Sequence, residues 1–248
     1  MWSLPRPQEV TVKALRPTAG LADVRRGLVL EVDVANATAT RVWDQSGYGH
    51  TGLVSGSVTL GNPPENRLGG APRALVYSAD TTGKIDCLSP ATLDDRPQLT
   101  YELLAAPRNA GGSNGGRLFD KTGNRFQLVA PATIRLVIGY STQLIRDVVV
   151  PVLDLRYYHL VSTWDGTPSA VDAKQYVNGV EPAYVTTTSG AGVRTSDSAG
   201  SLGLGCRPDL AAVNFDGYLA LARCYQVSLT AEEARQRYDY MLAQVGAI

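Results

Sequence analysis

The side chains best suited to chemistry in this 248-residue chain are two histidines, three cysteines and a few carboxylates in glycine-rich or paired contexts. His50 lies in the segment Asp44-Gln45-Ser46-Gly47-Tyr48-Gly49-His50-Thr51-Gly52, and His159 in the apolar run Tyr158 to Trp164. Nucleophilic hydrolysis needs Ser or Cys, a His base and an orienting acid. No Gly-x-Ser-x-Gly turn accompanies either histidine, so that chemistry is not indicated. Glycoside hydrolysis needs two carboxylates facing each other at about 5 to 9.5 Å. Asp94 and Asp95 are adjacent, so on a strand they would face opposite ways, and they fit a surface turn before Pro97 better. Lys121-Thr122-Gly123 lacks the preceding glycines of a phosphate loop. Cys87, Cys206 and Cys224 are too few and too scattered for a disulfide framework, and none has zinc-site spacing. They read as small buried hydrophobes. Trp2, Trp43, Trp164 and the 12 tyrosines could stack on sugars or fill a core. Trp164 fits the core, as does His159 with a hydrogen-bonding partner. Tyr48 and His50, on the glycine loop, are the candidates for exposed ligand contact.

These residues must be positioned by strands. Leu28 to Val34 begins apolar and then alternates, as a half-buried strand does. Similar runs follow at Ala74 to Tyr77, Leu99 to Leu104, Arg125 to Val129, Thr133 to Ile138, Tyr157 to Trp164 and Gly217 to Tyr225. Gly, Asn, Asp and Pro separate them, as in a sandwich or barrel. Val177-Asn178-Gly179-Val180 is a strong hairpin signal, because a type I′ turn needs positive φ at both central residues. Lys121 to Arg125 fits a slightly longer hairpin loop. Ala110 to Gly116 and Thr186 to Gly200 read as exposed loops. One helix is expected near the C-terminus, where Thr230-Ala231-Glu232-Glu233 forms a capping box. Residues 1–26, with Pro5, Pro7 and Pro17, read as an extended N-terminal arm, and 27–248 as a single domain.

Composition excludes several partners. Lys+Arg and Asp+Glu are both 23, so the chain lacks the basic excess that displaces phosphate counterions, and nucleic acid is not expected. No polybasic run or apolar stretch of roughly 18 residues points to a membrane. The N-terminus has no basic-then-apolar signal, so synthesis in the cytoplasm without Sec export is expected.

Three segments in order resemble the laminin-G-like branch of the concanavalin A-like superfamily. They are the Asp44 to Gly52 loop after its strand, Tyr158 to Gly166 followed by Gln175 to Val180, and Phe215 to Glu233. The resemblance runs from about Leu28 to Tyr240. It implies an all-β fold of two antiparallel sheets with jelly-roll connections and a short terminal helix. Several relatives bind calcium with the glycine loop and nearby acids, which implies Asp44 as a possible metal ligand. The acidic pair usual in the last strand is Ala220 and Leu221 here, which weakens that implication, and an Asx turn at Asp44 is the alternative. The Glu-x-Asp-x-Glu run of the superfamily's laminarinase-like hydrolases is absent, so no enzyme and no cofactor is expected.

Two functions remain. The first is a structural protein on a bacteriophage virion surface, as capsid decoration, head spike or tail component. It would contact other subunits through the arm and the sandwich surface. The second is a carbohydrate-binding module using Tyr48 and His50, with or without calcium at Asp44.

Overall fold

In a computed structural model of the chain, residues 25–61, 74–78, 83–149, 154–209 and 213–244 are described below. Strands are numbered along the chain. One sheet contains β1 (Leu28–Asp33), β4 (Thr59–Gly61), β5 (Ala74–Tyr77), β7 (Leu99–Pro107), β13 (Tyr158–Trp164), β14 (Lys174–Val177) and β18 (Gly217–Tyr225). Its order is β14-β13-β7-β18-β5-β4, with β1 also paired to β18. The second contains β2 (Arg41–Val42), β3 (Gly52–Ser55), β6 (Lys84–Asp86), β8 (Arg117–Lys121), β9 (Asn124–Val129), β10 (Thr133–Ile138), β12 (Leu144–Val149), β15 (Tyr184–Thr188) and β17 (Gly203–Leu204). Its order is β15-β12-β10-β9-β8-β17-β6-β3-β2. A separate ribbon joins β11 (Tyr140–Thr142) to β16 (Ala191–Arg194), and α1 spans Ala231–Gln244. This is the antiparallel β-sandwich with a short C-terminal helix that the sequence predicts.

The core lies between the sheets. Leu30, Val32, Tyr101, Leu103, Leu160, Trp164, Leu219 and Ala222 from the first sheet meet Phe119, Phe126, Leu128, Ile134, Leu136 and Leu204 from the second. The alternation within β9 and β10 is plain. Phe126, Leu128, Ile134, Leu136 and Ile138 point inward, which leaves Arg125, Gln127 and Arg135 for the other face. All three cysteines are buried and free, and burial pushes the Cys206 thiol up to about 12.

Helix α1 covers the outer face of the first sheet. Its capping box forms: Glu233 N donates to Thr230 Oγ1 at 3.2 Å, and Thr230 N donates to Glu233 Oε2 at 2.9 Å. Ala234 packs on Val161 and Tyr176, and Met241 on Leu104 and Ala220. Polar anchoring accompanies this packing. Arg237 Nη1 donates to Tyr225 Oη at 2.6 Å and lies 3.8 Å from Glu102 Oε2. Glu102, fully buried, also meets His159 Nε2 at 3.0 Å. His159 in turn stacks on Tyr238 of the helix, so its core role holds. Burial opposes ionisation of Glu102, but Arg223, His159 and Arg237 outweigh it and hold the carboxyl well below the usual carboxylate range.

Ala220 and Leu221 both belong to this helix contact. The pairing of β18 with β7 shifts register between Leu219 and Leu221, so Ala220 is the extra residue of a β-bulge. The bulge turns two successive residues towards the helix and lets Leu219 and Ala222 both face the core. Acidic residues here would lie against Met241 and Leu104, which is why this chain carries apolar ones.

Several local expectations change. Asn178 and Gly179 have φ of 51° and 73°, as a type I′ turn requires. Yet the turn does not join two strands of one sheet, because β14 belongs to the first sheet and β15 to the second. Asn178 instead ties back to β13, where its Oδ1 accepts the His159 amide at 2.9 Å. Thr122-Gly123 makes a two-residue turn between β8 and β9, shorter than expected. Residues 186–200, expected as a loop, contribute to β15 and form β16. Their polar sequence fits strands with little burial, since β15 is an edge. Asp94 and Asp95 are more than a surface turn. Asp94 Oδ1 lies 2.7 Å from Nζ of the fully buried Lys121, and Asp95 N donates to buried Asp197 at 2.7 Å. Residues 1–24 of the expected arm lie outside the described residues. Arg25 and Arg26 pair with Glu31 and Glu233 and so attach to the sandwich. Among the described residues no helix is long and apolar enough to cross a membrane.

Candidate functional site

The glycine loop connects β2 to β3 at one edge of the second sheet. Gly47 and Gly49 have φ of 101° and 77°, and an added Cβ would meet nothing within 4 Å at either. Conformation, not space, therefore demands glycine there. Gly52 differs: a Cβ would lie 2.5 Å from Val42 and 2.7 Å from Ile85. Tyr48 is 50% exposed and stacks on His50 with ring centroids 5.7 Å apart. His50 Nε2 is 2.6 Å from Thr92 Oγ1. Partial burial lowers the His50 pKa, with Asp44 opposing, so the ring is neutral at pH 7.

Asp44 organises this loop. Its Oδ1 accepts the amides of Glu31 at 2.9 Å and Ser46 at 2.8 Å. Its Oδ2 accepts Ser46 Oγ at 2.7 Å and the His50 amide at 3.0 Å. Four donors thus point at the two oxygens a cation would need. Calcium takes six to eight oxygens, usually with several carboxylates. Among the described residues no group of three or more His, Cys, Asp or Glu could hold a metal. The residues around Asp44 do not fit calcium; they fit an Asx turn.

A second feature lies on the outer face of the same sheet, over β6, β17, β8 and β9. It is a cleft of about 570 Å³ lined by Asp86, Arg117, Asp120, Arg125, Gln143, Arg207 and Asp209, among others. Register places its floor. Asp86, Gly203, Asp120 and Arg125 are successive cross-strand partners on β6, β17, β8 and β9. Gly203 sits between two carboxylates and lets the following segment pack against it: a Cβ there would lie 2.5 Å from Cys206 O and 2.7 Å from Pro208. The 205–209 segment therefore folds closely over β17 and forms one wall. Beside this row runs another, Arg117, Gln127, Arg135 and Asp147, on β8, β9, β10 and β12.

The polar arms are held in place. Arg207 grips Asp209 bidentately at 2.8 and 3.0 Å, and Arg135 grips Asp147 at 2.8 and 2.7 Å. Arg117 Nε lies 2.9 Å from Asp120 Oδ2, out of line for a hydrogen bond. Arg125 donates to Gln127 Oε1 at 3.0 Å and Gln143 Oε1 at 3.4 Å. Burial raises the Asp120 carboxyl to about 6 against the pull of Arg117 and Arg125. Burial likewise lowers Arg117 to about 10. The cleft thus presents guanidinium and amide donors beside carboxylate acceptors, with no aromatic ring in its lining.

Residues 80–235, more than half of the chain, match the family model described as the concanavalin A-like lectin/glucanases superfamily. The chain belongs to that superfamily. No curated protein sequence matches it significantly. Solved structures share the lectin/glucanase fold. The binding domain of Paraclostridial Mosquitocidal Protein 1 aligns with TM-score 0.65 and 11% identity, covering 88% of this chain and 53% of that one. Botulinum neurotoxin type C, which depends on two ganglioside molecules to enter cells, aligns with TM-score 0.61 and 10% identity over 89% and 53%. Domain 4 of AbnA, a GH43 extracellular arabinanase from Geobacillus stearothermophilus solved with arabinotriose, aligns with TM-score 0.59 and 18% identity over 84% and 96%. The chain spans about half the length of the toxin chains it matches. At these identities the likeness is one of fold.

Asp44, Tyr48 and His50 do come together at one loop, as the sequence implies. The cleft has no comparable motif in the sequence. Its only sequence signal is the polar alternation of Arg125, Gln127 and Arg135 with apolar neighbours, which marks a solvated face but not a concave one.

Proposed function

We propose that this superfamily member is a non-catalytic binding module that holds a glycan in the cleft over β6, β17, β8 and β9. The observation that carries the proposal is a 570 Å³ recess whose donors and acceptors are fixed by cross-strand register and ion pairs. Sugar hydroxyls both donate and accept, so a mixed set of guanidinium, amide and carboxylate groups suits them. Preorganised arms lose little side-chain entropy on binding. Each cleft carboxylate already has a partner: Asp209 holds Arg207, Asp120 faces Arg117 and Asp86 accepts the Leu88 amide at 2.8 Å. That arrangement suits recognition better than proton transfer. The arabinotriose complex of AbnA domain 4, matched over nearly its whole length, supports the class of ligand.

The test is a glycan array followed by calorimetry with wild type, Gln143→Ala and Tyr48→Ala. Binding weakened by Gln143→Ala and kept by Tyr48→Ala supports the cleft. The reverse pattern would move the site to the glycine loop, and no binding to any glycan would remove the proposal.

A protein-contact role, with a bacteriophage virion as its setting, is the second reading. Exposed valines favour it: Val185 on edge strand β15 is 62% exposed and Val193 on β16 79%. An exposed apolar edge invites pairing with another chain. Defined oligomers that dissociate on Val185→Lys would support this role.

A further inference from the structure

We propose that the ligand of this cleft is an acidic sugar, and that Arg125 pairs with its carboxylate. This rests on the glycan-binding proposal and narrows it. Three guanidiniums line the cleft, and they differ in what they hold. Arg207 is matched by Asp209 in a fork-to-fork pair. Arg117 has Asp120 at 2.9 Å. Arg125 alone of the three donates only to neutral amide oxygens, those of Gln127 and Gln143, and its Nη1 has no hydrogen-bond partner among the described residues. Yet Arg125 is only partly exposed and lies in register opposite Asp120, next to the Arg117 side of the cleft.

The electrostatics point the same way. Burial lowers the Arg125 pKa; Asp120 opposes that, and Arg135 and Arg207 add to it. Crowded, partly desolvated cations gain when an anion joins them. A carboxylate matches the planar fork of a guanidinium bidentately, and such charge-assisted bonds are about twice as strong as neutral ones. The flanking glutamines engage Nε and Nη2 of Arg125, which lines the cleft, and leave Nη1 for an incoming carboxylate. Asp86, Asp120 and Asp209 restrict the anion to the Arg125 end of the row, while hydroxyls of the same sugar can meet those carboxylates. A neutral glycan would leave Arg125 with only the pull of Asp120 against its burial and the repulsion of Arg135 and Arg207.

The experiment uses the full chain and calorimetry with four probes: trigalacturonate, its methyl ester, 3′-sialyllactose and lactose. At least one acid is expected to bind about tenfold or more tightly than its ester or neutral counterpart, since one charged hydrogen-bonded pair contributes about 1.5–3 kcal/mol. Arg125→Met keeps the stem and should abolish that preference; Arg125→Lys should retain part of it. Raising ionic strength from about 0.15 M to about 1 M should weaken acid binding and spare neutral binding. Equal affinity for acid and neutral forms overturns the acidic-sugar inference while leaving the glycan reading in place. Acid preference undiminished in folded Arg125→Met overturns the role of Arg125. Absence of binding to all four probes and to the whole array removes both proposals. If Arg125→Met fails to fold, the acid-against-ester comparison on wild type decides the ligand class, and Arg125→Lys, with acid preference reduced or unchanged, decides the role of Arg125.

Discussion

Replacing Ala220 by Asp restores a residue type common in relatives and tests why this chain lacks it. Ala220 is 3% exposed and packs on Leu104 and Met241 beneath α1. The cluster around it is apolar apart from the Tyr157 hydroxyl, so a carboxyl there loses its water with at most one donor to replace it. The cheapest escape that keeps the helix docked is protonation. With an unfolded pKa near 3.9, holding the group protonated at pH 7 costs about 4 kcal/mol, at about 1.4 kcal/mol for each of roughly three pH units. At pH 4.5 the same cost is about 1 kcal/mol. The sign follows from linkage: a folded pKa raised above the unfolded one destabilises above the unfolded value, and the penalty vanishes below it. Urea unfolding of wild type, Ala220→Asp and Ala220→Asn at both pH values measures this. The Asp variant should lose about 5–7 kcal/mol at pH 7, the protonation cost plus that of burying a neutral polar group, and regain about 3 kcal/mol of it at pH 4.5. The Asn variant should lose about 1–3 kcal/mol with no pH dependence. A loss under about 1 kcal/mol for Asp at pH 7, or the same loss at both pH values, would refute the burial of Ala220 under the helix.

Other outcomes follow from the same packing. Arg237→Met removes the donor to Tyr225 and one of the cations near Glu102 and should cost about 3 kcal/mol in urea unfolding; a neutral result would mean the helix docks by apolar contact alone. Glu102 has a depressed folded pKa, so its contribution is present above the unfolded value near 4.3 and is lost as pH falls through the folded pKa. Acid titration of stability should therefore be shallower in Glu102→Gln than in wild type, and parallel curves would contradict the ionised state. Asp44→Ala removes the acceptor of four loop hydrogen bonds and should lower Tm, whereas adding calcium or chelator to wild type should leave Tm unchanged. A calcium-dependent rise in Tm would show that cations displace those donors.

Much of the fold was legible because it is written in local alternation. Thr133–Ile138 and Gly217–Tyr225 form strands with the predicted ends. Thr230 and Glu233 form their capping box. What escaped was set by partners distant in sequence. The Asn178-Gly179 turn has its local shape, but whether it joins strands of one sheet depends on where β15 pairs. The bulge at Ala220 changes which residues of β18 face the core, and no period of two reveals it. The glycine loop was legible because Asp44 to Gly52 resembles the superfamily's loop, and φ constraints account for Gly47 and Gly49 within it. The cleft was not, because Asp86, Asp120, Arg125 and Arg207 come from separate segments that only register assembles. Asp94 and Asp95 do lie in a surface turn, but nothing nearby in sequence announces their ties to buried Lys121 and Asp197.

The central claim is that the cleft, and not the glycine loop or the valine edge, receives a glycan. Backbone amide chemical-shift mapping on titration with trigalacturonate and with arabinotriose tests it most directly. Shifts gathered at Asp120 to Arg125, Gln143 and Gly203 to Asp209 are predicted. Shifts confined to Tyr48 and His50 or to Val185 and Val193, or no shifts with either sugar, would contradict it.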